Sequence, residues 1–246
     1  MLHTIFEPLR ALFIHIPKCG GGTILRTLES HLDAPNSYRS KTKKEYRKTL
    51  VGKLESSVGE ERAKRFARGH EPYAIKKLVL DAEILDDYFK FAFVRNPYDR
   101  LYSAFNGYAR KHTSFLTRRK KPELADINAF LKLKLQPEMF PNGTFEEACL
   151  DEETLFIHFL PQHQFLCDEG QMKADFIGRM ERFDDDSAVL YERLGLTEVS
   201  PVTRHIEFRG DLTAPSRYLE QFDRESIDLV NRLYGKDFEL LGYDRA

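Results

Sequence analysis

The chain of 246 residues is long enough for one large α/β domain or two small ones, and its 41% hydrophobic and 31% charged residues are ordinary for a globular protein. It contains no apolar run of membrane-spanning length, so no membrane span is expected. The formal net charge of −1 excludes an overall field that would attract nucleic acid or acidic membranes, so a bound anion must be captured by a local site.

The first part of the chain predicts a strand, a glycine run and a helix in immediate succession. Arg10–Pro17 is predicted as a short buried strand because it is mostly apolar. Three consecutive glycines follow, and Thr23–Leu32 carries apolar residues at helical spacing. Asp33–Lys44 is polar and contains a proline, which predicts a loop. Lys44–Gly59 is predicted as a charged surface helix, and Arg65–Glu71 as a short strand that runs into a turn.

The second convincing strand is Tyr88–Arg95. It runs into Asn96 and Pro97, and a proline at the first position is typical of a helix start. The other predicted elements are a basic excursion at Thr117–Asp126, helices within Asp126–Phe159, a third strand at Ala174–Glu181, a helix at Asp184–Gly195, a polar connector at Arg204–Phe222 and an amphipathic segment at Arg224–Gly242. Alternating strands and helices predict an α/β fold with a mostly parallel sheet that is covered by helices on both faces.

A glycine run at the start of a helix is typical of a site that binds an anion through backbone N–H groups. The first N–H groups of a helix have no partner within it, the helix dipole makes that end partly positive, and glycines let a phosphate approach closely. Lys18 adds a full charge and Thr23 a hydroxyl. Because Lys18 precedes the glycines, the order differs from the Walker pattern, which disfavours a nucleoside triphosphatase. Taken alone, the same residues are equally compatible with a tight turn and a surface lysine.

A second anion site is predicted where the strand Tyr88–Arg95 ends. Arg95 closes this strand, and Ser103 lies two turns into the helix that follows. An arginine and a neighbouring hydroxyl suit a phosphate, although a salt bridge at a helix start would also explain Arg95. Two phosphate sites on neighbouring strands imply a ligand with two separated phosphate groups.

Both motifs resemble those of sulfotransferases that use 3′-phosphoadenosine 5′-phosphosulfate (PAPS). "IPKCGGGT" at Ile16–Thr23 is similar to their 5′-phosphosulfate loop, and "FVRNPYDRLYSAF" at Phe93–Phe105 to their 3′-phosphate motif. The likeness is to the carbohydrate branch, which includes heparan and dermatan 2-O- and chondroitin/HNK-1-type enzymes. Weaker likenesses follow in order at Gly69–Tyr73, His158–Cys167, Asp175–Asp186 and Val230–Tyr243.

The resemblance implies a single sulfotransferase domain over residues 1–246, with an α/β, P-loop-like three-layer fold and a central parallel sheet flanked by helices. It also implies PAPS as co-substrate and a hydroxyl acceptor on a sugar or glycan. No metal is expected, since no cluster of ligand residues stands out in the sequence. The implied donor-binding residues are Lys18, Cys19, Gly20, Gly21, Gly22, Thr23, Arg95 and Ser103. Lys18 would also act in catalysis, and Arg95 and Ser103 would hold the 3′-phosphate. Many members place a hydroxyl residue where this chain has Gly22.

The acceptor hydroxyl must lose a proton, and histidine is the natural base near neutral pH. Of the eight histidines, His70 is the candidate base, because it resembles the catalytic histidine of the 2-O-sulfotransferase branch. A histidine that caps a turn is the competing interpretation. Glu71 would either orient the imidazole of His70 or face solvent, and an exposed position is expected. His158 and His163, near Pro161, would line the acceptor cleft or serve the structure.

Two other functions stay open on the sequence. A P-loop nucleotide kinase-like phosphotransferase would need the Walker order and an acidic residue for Mg²⁺. A non-catalytic nucleotide-binding module would bind the nucleotide without turnover.

The N-terminal residues and the lack of an apolar run of membrane-spanning length predict a cytoplasmic protein, in which disulfides are not expected. Cys19, Cys149 and Cys167 have no metal-ligand spacing, and their odd number argues against a disulfide framework. The N-terminal residues lack the basic start, apolar stretch and cleavage site of a signal peptide.

Overall fold

The computed structural model describes residues 4–32, 41–60, 63–64, 70–112, 126–135, 156–196, 199 and 218–246. Several predicted features lie wholly or mostly outside these residues. They are the loop before residue 41, the strand at 65–69, the basic excursion at 117–125, the middle of the helical region at 136–155, Cys149 and most of the connector at 204–217.

A four-stranded sheet organises the fold. Its strands are β1 (Ile5–Phe6), β2 (Ala11–Phe13), β3 (Phe89–Val94) and β6 (Phe176–Arg179), in the order β1-β2-β3-β6. β2, β3 and β6 are parallel, and β1 pairs antiparallel with β2 at the edge. A small antiparallel hairpin of β4 (Cys167–Asp168) and β5 (Gln171–Met172) stands apart. The predicted α/β class is confirmed, with one antiparallel strand added to a mostly parallel sheet.

Helices flank the sheet. In the described part of the chain they are α1 (Gly21–His31), α2 (Lys41–Val58), α3 (Tyr73–Lys76), α4 (Ala82–Asp87), α5 (Pro97–His112), α6 (Ile127–Lys134), α7 (Gln162–Leu166), α8 (Phe183–Arg193), α9 (Arg224–Leu233) and α10 (Gly235–Leu241). Short 3-10 turns occur at Glu7–Leu9, Phe156–His158, Met180–Arg182 and Leu219–Gln221. No described helix is both long and apolar enough to cross a bilayer.

The sheet is buried because its strands carry large apolar residues on both faces. On β3, Phe91 stacks on Phe13 of β2 with ring centroids 4.9 Å apart, and both are buried. Phe93 lies opposite Gly178 of β6. A Cβ at Gly178 would lie 2.5 Å from the Phe93 ring, so this position must be glycine for the two strands to pair closely.

The carboxyl ends of β2, β3 and β6 meet at one edge of the sheet because the three strands are parallel. The glycine loop, which we define as Pro17–Thr23, follows β2, and Arg95 follows β3. The turn after β6 also contributes there, since Glu181 accepts a hydrogen bond from the Asn96 backbone N–H at 2.6 Å. Both predicted anion motifs therefore lie at this edge.

Element boundaries differ from the predicted ones where backbone geometry decides them. The first strand ends at Phe13 rather than Pro17, because the chain leaves the sheet to form the glycine loop. α1 begins at Gly21, two residues before Thr23, where the predicted helix starts. α2 begins at Lys41, so residues 41–44 are helical and not loop. The final segment is two helices, which break at Tyr234.

Candidate active site

The glycine loop turns through two residues with left-handed backbone. Gly20 has φ 74° and is the N-cap of α1, and Lys18 has φ 71°. Glycine adopts this conformation freely, but a lysine there costs on the order of 1–2 kcal/mol. Such strain persists only where the surrounding structure enforces it, and it concentrates at functional sites. The strain at Lys18 therefore marks this loop as a candidate site.

Two of the three consecutive glycines are required by close neighbours. A Cβ at Gly21 would lie 2.1 Å from Nε2 of His15, whose ring covers the first turn of α1. A Cβ at Gly20 would lie 2.5 Å from Sδ of Met180. Gly22 is different, because a Cβ there would meet only Arg26 at 3.7 Å. The open side of the helix N-terminus is thus at Gly22.

We expect the substitutions Gly21→Ala and Gly22→Ala to separate these roles. Gly21→Ala should destabilise the protein by about 1–3 kcal/mol, because the new methyl group must displace the His15 ring. Gly22→Ala should change stability by less than about 0.5 kcal/mol, since that position is exposed and helical. Denaturant unfolding of the two variants measures the difference, and equal stabilities would contradict this account of the loop.

The Thr23 backbone is already engaged within the first turn. Its N–H donates to the Gly20 carbonyl at 2.9 Å, and its side chain is buried. The amides before Thr23 are better placed to receive an anion. Cys19 is also engaged, because the single hydrogen of its thiol faces two acceptors, the Pro17 carbonyl oxygen at 3.6 Å and Gln162 Oε1 at 3.5 Å. Burial raises the pKa of Cys19 to about 12, so it stays a protonated thiol.

Lys18 reaches the helix that carries the second motif. A Cβ at Gly107 of α5 would lie 3.1 Å from Lys18 Nζ. Gly107 follows Ser103 by four residues, so both lie on the same face of α5. The lysine of the first motif and the serine of the second therefore lie on neighbouring parts of one site.

Arg95 is buried at the end of β3, and Gln162 at the start of α7 fixes its backbone. The Arg95 N–H donates to Gln162 Oε1 at 2.9 Å, and Gln162 Nε2 donates to the Arg95 carbonyl at 2.7 Å. The chain then turns through Asn96, whose side chain accepts from the Tyr98 N–H at 3.0 Å and caps α5. Arg95 is therefore held at a defined position eight residues before Ser103.

Arg100 is a buried arginine that ties three segments together. Its Nε donates to the Pro17 carbonyl at 3.1 Å, Nη1 to the Leu160 carbonyl at 2.8 Å and Nη2 to the His158 carbonyl at 3.2 Å. The planar guanidinium has several N–H donors at fixed angles and can therefore donate to all three carbonyls at once, whereas a lysine ammonium is a compact point charge. Arg100 thus fixes the start of the glycine loop to the segment that contains His158.

His70 lies beside the glycine loop. Its Nδ1 is 3.3 Å from the His15 carbonyl oxygen, and its ring centroid is 4.3 Å from that of His15. Because a carbonyl only accepts, Nδ1 carries the hydrogen and Nε2 has the lone pair. Burial lowers the pKa of His70 below its ordinary 6.5, although the hydrogen bond to His15 opposes this shift. His70 is therefore a neutral imidazole at pH 7, with the form that a general base needs.

Glu71 does not face solvent, and that prediction is wrong. It is fully buried and pairs with Lys76, also buried, at 3.3 Å. Lys76 Nζ also donates to Thr4 Oγ1 at 3.2 Å. A buried carboxylate needs such a partner, and this one comes from α3. The pair anchors the residue next to His70 to the N-terminal part of the chain.

The two histidines near Pro161 have different surroundings. The His158 ring lies edge-on to His70, with centroids 5.5 Å apart. His163 is buried, and its Nδ1 lies 2.7 Å from Oδ1 of Asp237. His158 is thus next to the candidate base, whereas His163 belongs to the buried packing of α7 against α10.

Sequence reasoning missed three side chains that shape this site: Gln162, Arg100 and Asp237. All three lie within segments already singled out, at His158–Cys167, Phe93–Phe105 and Val230–Tyr243. Their partners are backbone carbonyls and amides far along the chain, which residue type does not reveal. Among the described residues, no group of three or more His, Cys, Asp or Glu side chains is placed to hold a metal ion.

Comparisons with known proteins agree with the two motifs. A family model described as "Sulfotransferase family" matches residues 4–244. The chain is similar to carbohydrate sulfotransferase 14 of Danio rerio and carbohydrate sulfotransferase 12 of Xenopus laevis, each 29% identical over 176 residues and 65% of this chain. The matches cover 45% and 41% of these relatives, so the chain spans less than half of their length. No solved structure matches the chain with statistical significance.

Proposed function

Since the chain belongs to the sulfotransferase family, we propose that it transfers a sulfuryl group from PAPS to a hydroxyl group of a sugar or glycan. The observation that supports this most is the approach of Lys18 to α5, one helical turn from Ser103. The glycine loop and the arginine motif, which resemble the two phosphate motifs of PAPS-dependent enzymes, thus lie at one edge of the sheet. The sugar acceptor rests on the names of the two relatives.

The residues of the glycine loop fit a 5′-phosphate group. The N-terminus of α1 offers backbone N–H groups and a positive dipole end, and the space beside Gly22 is open. Gly20, Gly21 and Gly22 would hold the phosphate through their amides. Cys19 would contribute its backbone alone, because its thiol is engaged within the protein.

Arg95 and Ser103 would hold the 3′-phosphate. A guanidinium can bind two phosphate oxygens at once, and a serine hydroxyl adds a third donor. Arg95 follows β3 directly, and Ser103 lies in α5, the next helix. β3 is the neighbour of β2, the strand that leads into the glycine loop. A nucleotide that carries both phosphates would therefore bridge two adjacent strand ends.

The chemical step needs a base and a cation. PAPS supplies the sulfuryl group when bound. His70 would take the proton of the acceptor hydroxyl at Nε2, with its ring held by the His15 carbonyl. Lys18 would stabilise the negative charge that grows on the leaving oxygen as the S–O bond breaks. His158, edge-on to His70, would line the acceptor side.

Calorimetric binding of 3′-phosphoadenosine 5′-phosphate, the expected product, tests the donor site. We expect it to bind at least about tenfold more tightly than ADP or AMP, because only the bisphosphate makes charged hydrogen bonds at both motifs. Arg95→Ala should remove most of this preference. The control is Arg232→Ala, which replaces an exposed arginine of α9. This variant should bind all three nucleotides as the wild type does. Equal or tighter binding of ADP by the wild type would contradict the proposal and favour a kinase-like enzyme.

A further inference from the structure

The side chain of Gln162 joins the two motifs of the site. It is fully buried at the first position of α7. Its amide makes two hydrogen bonds to the backbone of Arg95, at 2.9 and 2.7 Å. Its oxygen also accepts from the Cys19 thiol at 3.5 Å. One amide group is therefore bonded to the glycine loop and to the end of β3 at the same time.

The position of Gln162 is itself fixed from the far end of the chain. Its backbone N–H donates to Asp237 Oδ2 at 2.7 Å, and the next N–H, of His163, donates to Asp237 Oδ1 at 2.8 Å. Asp237 is fully buried. The Asp237 carboxylate accepts both of these amide hydrogens and thereby caps the N-terminus of α7. The backbone that carries the Gln162 side chain is therefore held in place.

The bonds of Gln162 are specific for its amide. An amide offers both a donor and an acceptor, and the Arg95 backbone presents both in return. Removal of this group would leave the buried Arg95 N–H and carbonyl without these bonds, which is costly. Because burial raises the pKa of Cys19 to about 12, its thiol keeps its hydrogen throughout the working pH range and stays a donor to Gln162.

We propose that Gln162 is a positioning residue that sets the distance between the 5′- and 3′-phosphate subsites, so that binding of one phosphate favours binding of the other. Gln162 acts through the glycine loop and Arg95, and has no assigned contact with substrate. This inference rests on the proposed function, because it assumes a ligand with two phosphates. It adds that the two subsites are coupled through one buried side chain.

A comparison of two ligands in wild type and variants tests the coupling. The measured quantity is the affinity of 3′-phosphoadenosine 5′-phosphate divided by that of AMP, which gives the benefit of the second phosphate. In Gln162→Met, which keeps the length of the side chain, this ratio should fall at least about tenfold. Gln164→Met, on the same helix and half-buried, should keep the wild-type ratio.

A purely structural role of Gln162 predicts a different result. It would weaken both ligands by the same factor and leave the ratio unchanged, and that outcome would overturn the inference. Failure of the proposed function is seen separately, because the wild type itself would then show no preference for the bisphosphate.

A milder pair of variants covers the case in which Gln162→Met does not fold. Cys19→Ala removes the link from the glycine loop to Gln162, together with the contact of the thiol with the Pro17 carbonyl inside the loop, and leaves the Arg95 bonds intact. It should lower the ratio about threefold, and Cys19→Ser, which restores a hydrogen-bond donor, should recover it. An unchanged ratio in Cys19→Ala would contradict coupling through this side chain.

Discussion

Replacing His70 by glutamine is expected to lower kcat by about 10²- to 10⁴-fold, the usual contribution of a general base. Glutamine is close in size and keeps a polar group near the His15 carbonyl, but it does not accept a proton at neutral pH. The affinity for 3′-phosphoadenosine 5′-phosphate should stay within about threefold of the wild type, since no donor contact is removed. Steady-state kinetics together with calorimetry measure both quantities.

A matched control for this substitution is His31→Gln, at the exposed C-terminal end of α1. It should leave both kcat and nucleotide affinity unchanged. If His70→Gln retained wild-type kcat, another group would have to be the base. If it lost nucleotide affinity as well as rate, His70 would act through the fold of the glycine loop.

The pH dependence of the wild type follows from the same residue. Burial lowers the pKa of His70 below 6.5, and the neutral form is the active one. The rate should therefore rise with pH through an apparent pKa below 6.5 and then become level. A profile of kcat/KM from about pH 5 to 8, which reports the pKa of the free enzyme, tests this, and in His70→Gln the acidic limb should disappear.

Replacing Lys18 by methionine is expected to lower kcat by about 10²- to 10³-fold, the range seen when one charge-stabilising group is removed from a transition state. Methionine has a similar length and apolar stem, so the loop should keep its shape. The loss should be larger in kcat than in the affinity for 3′-phosphoadenosine 5′-phosphate, because the charge on the leaving oxygen grows only during the reaction.

Lys77→Met is the matched control for this prediction. Lys77 is exposed on the surface and pairs with Asp168 at 2.8 Å, and exposed pairs contribute little. Its substitution should change neither kcat nor affinity. A Lys18→Met variant that lost nucleotide affinity but kept the wild-type kcat would instead show that this lysine binds the ground state and the transition state equally.

The sequence allowed the strand–glycine–helix unit and the arginine motif to be predicted because each is a local pattern. Apolar runs mark β3 and β6, and glycines mark the loop at Gly20. The edge strand β1 was missed, since two residues carry no periodicity. α2 was predicted to start too late because its first residues are uniformly polar.

Long-range polar contacts could not be predicted in the same way. Glu71 is charged and follows a turn, which favours an exposed position, yet Lys76 and Thr4 provide buried partners. Gln162 bonds to Arg95 across 67 positions, and nothing in a glutamine's type indicates its partner. These contacts depend on which strand ends meet at one edge, and that becomes evident only in three dimensions.

The cap that Asp237 provides to α7 has a consequence for the order in which the protein matures during synthesis. All the residues proposed to contact the nucleotide or the reacting groups precede Gly107, apart from His158. The backbone N–H groups of Gln162 and His163, which begin α7, are bonded to the carboxylate of Asp237. A nascent chain can therefore contain every one of these groups before Asp237 is made, and we expect the pocket to form fully only once α10 has left the ribosome and docked.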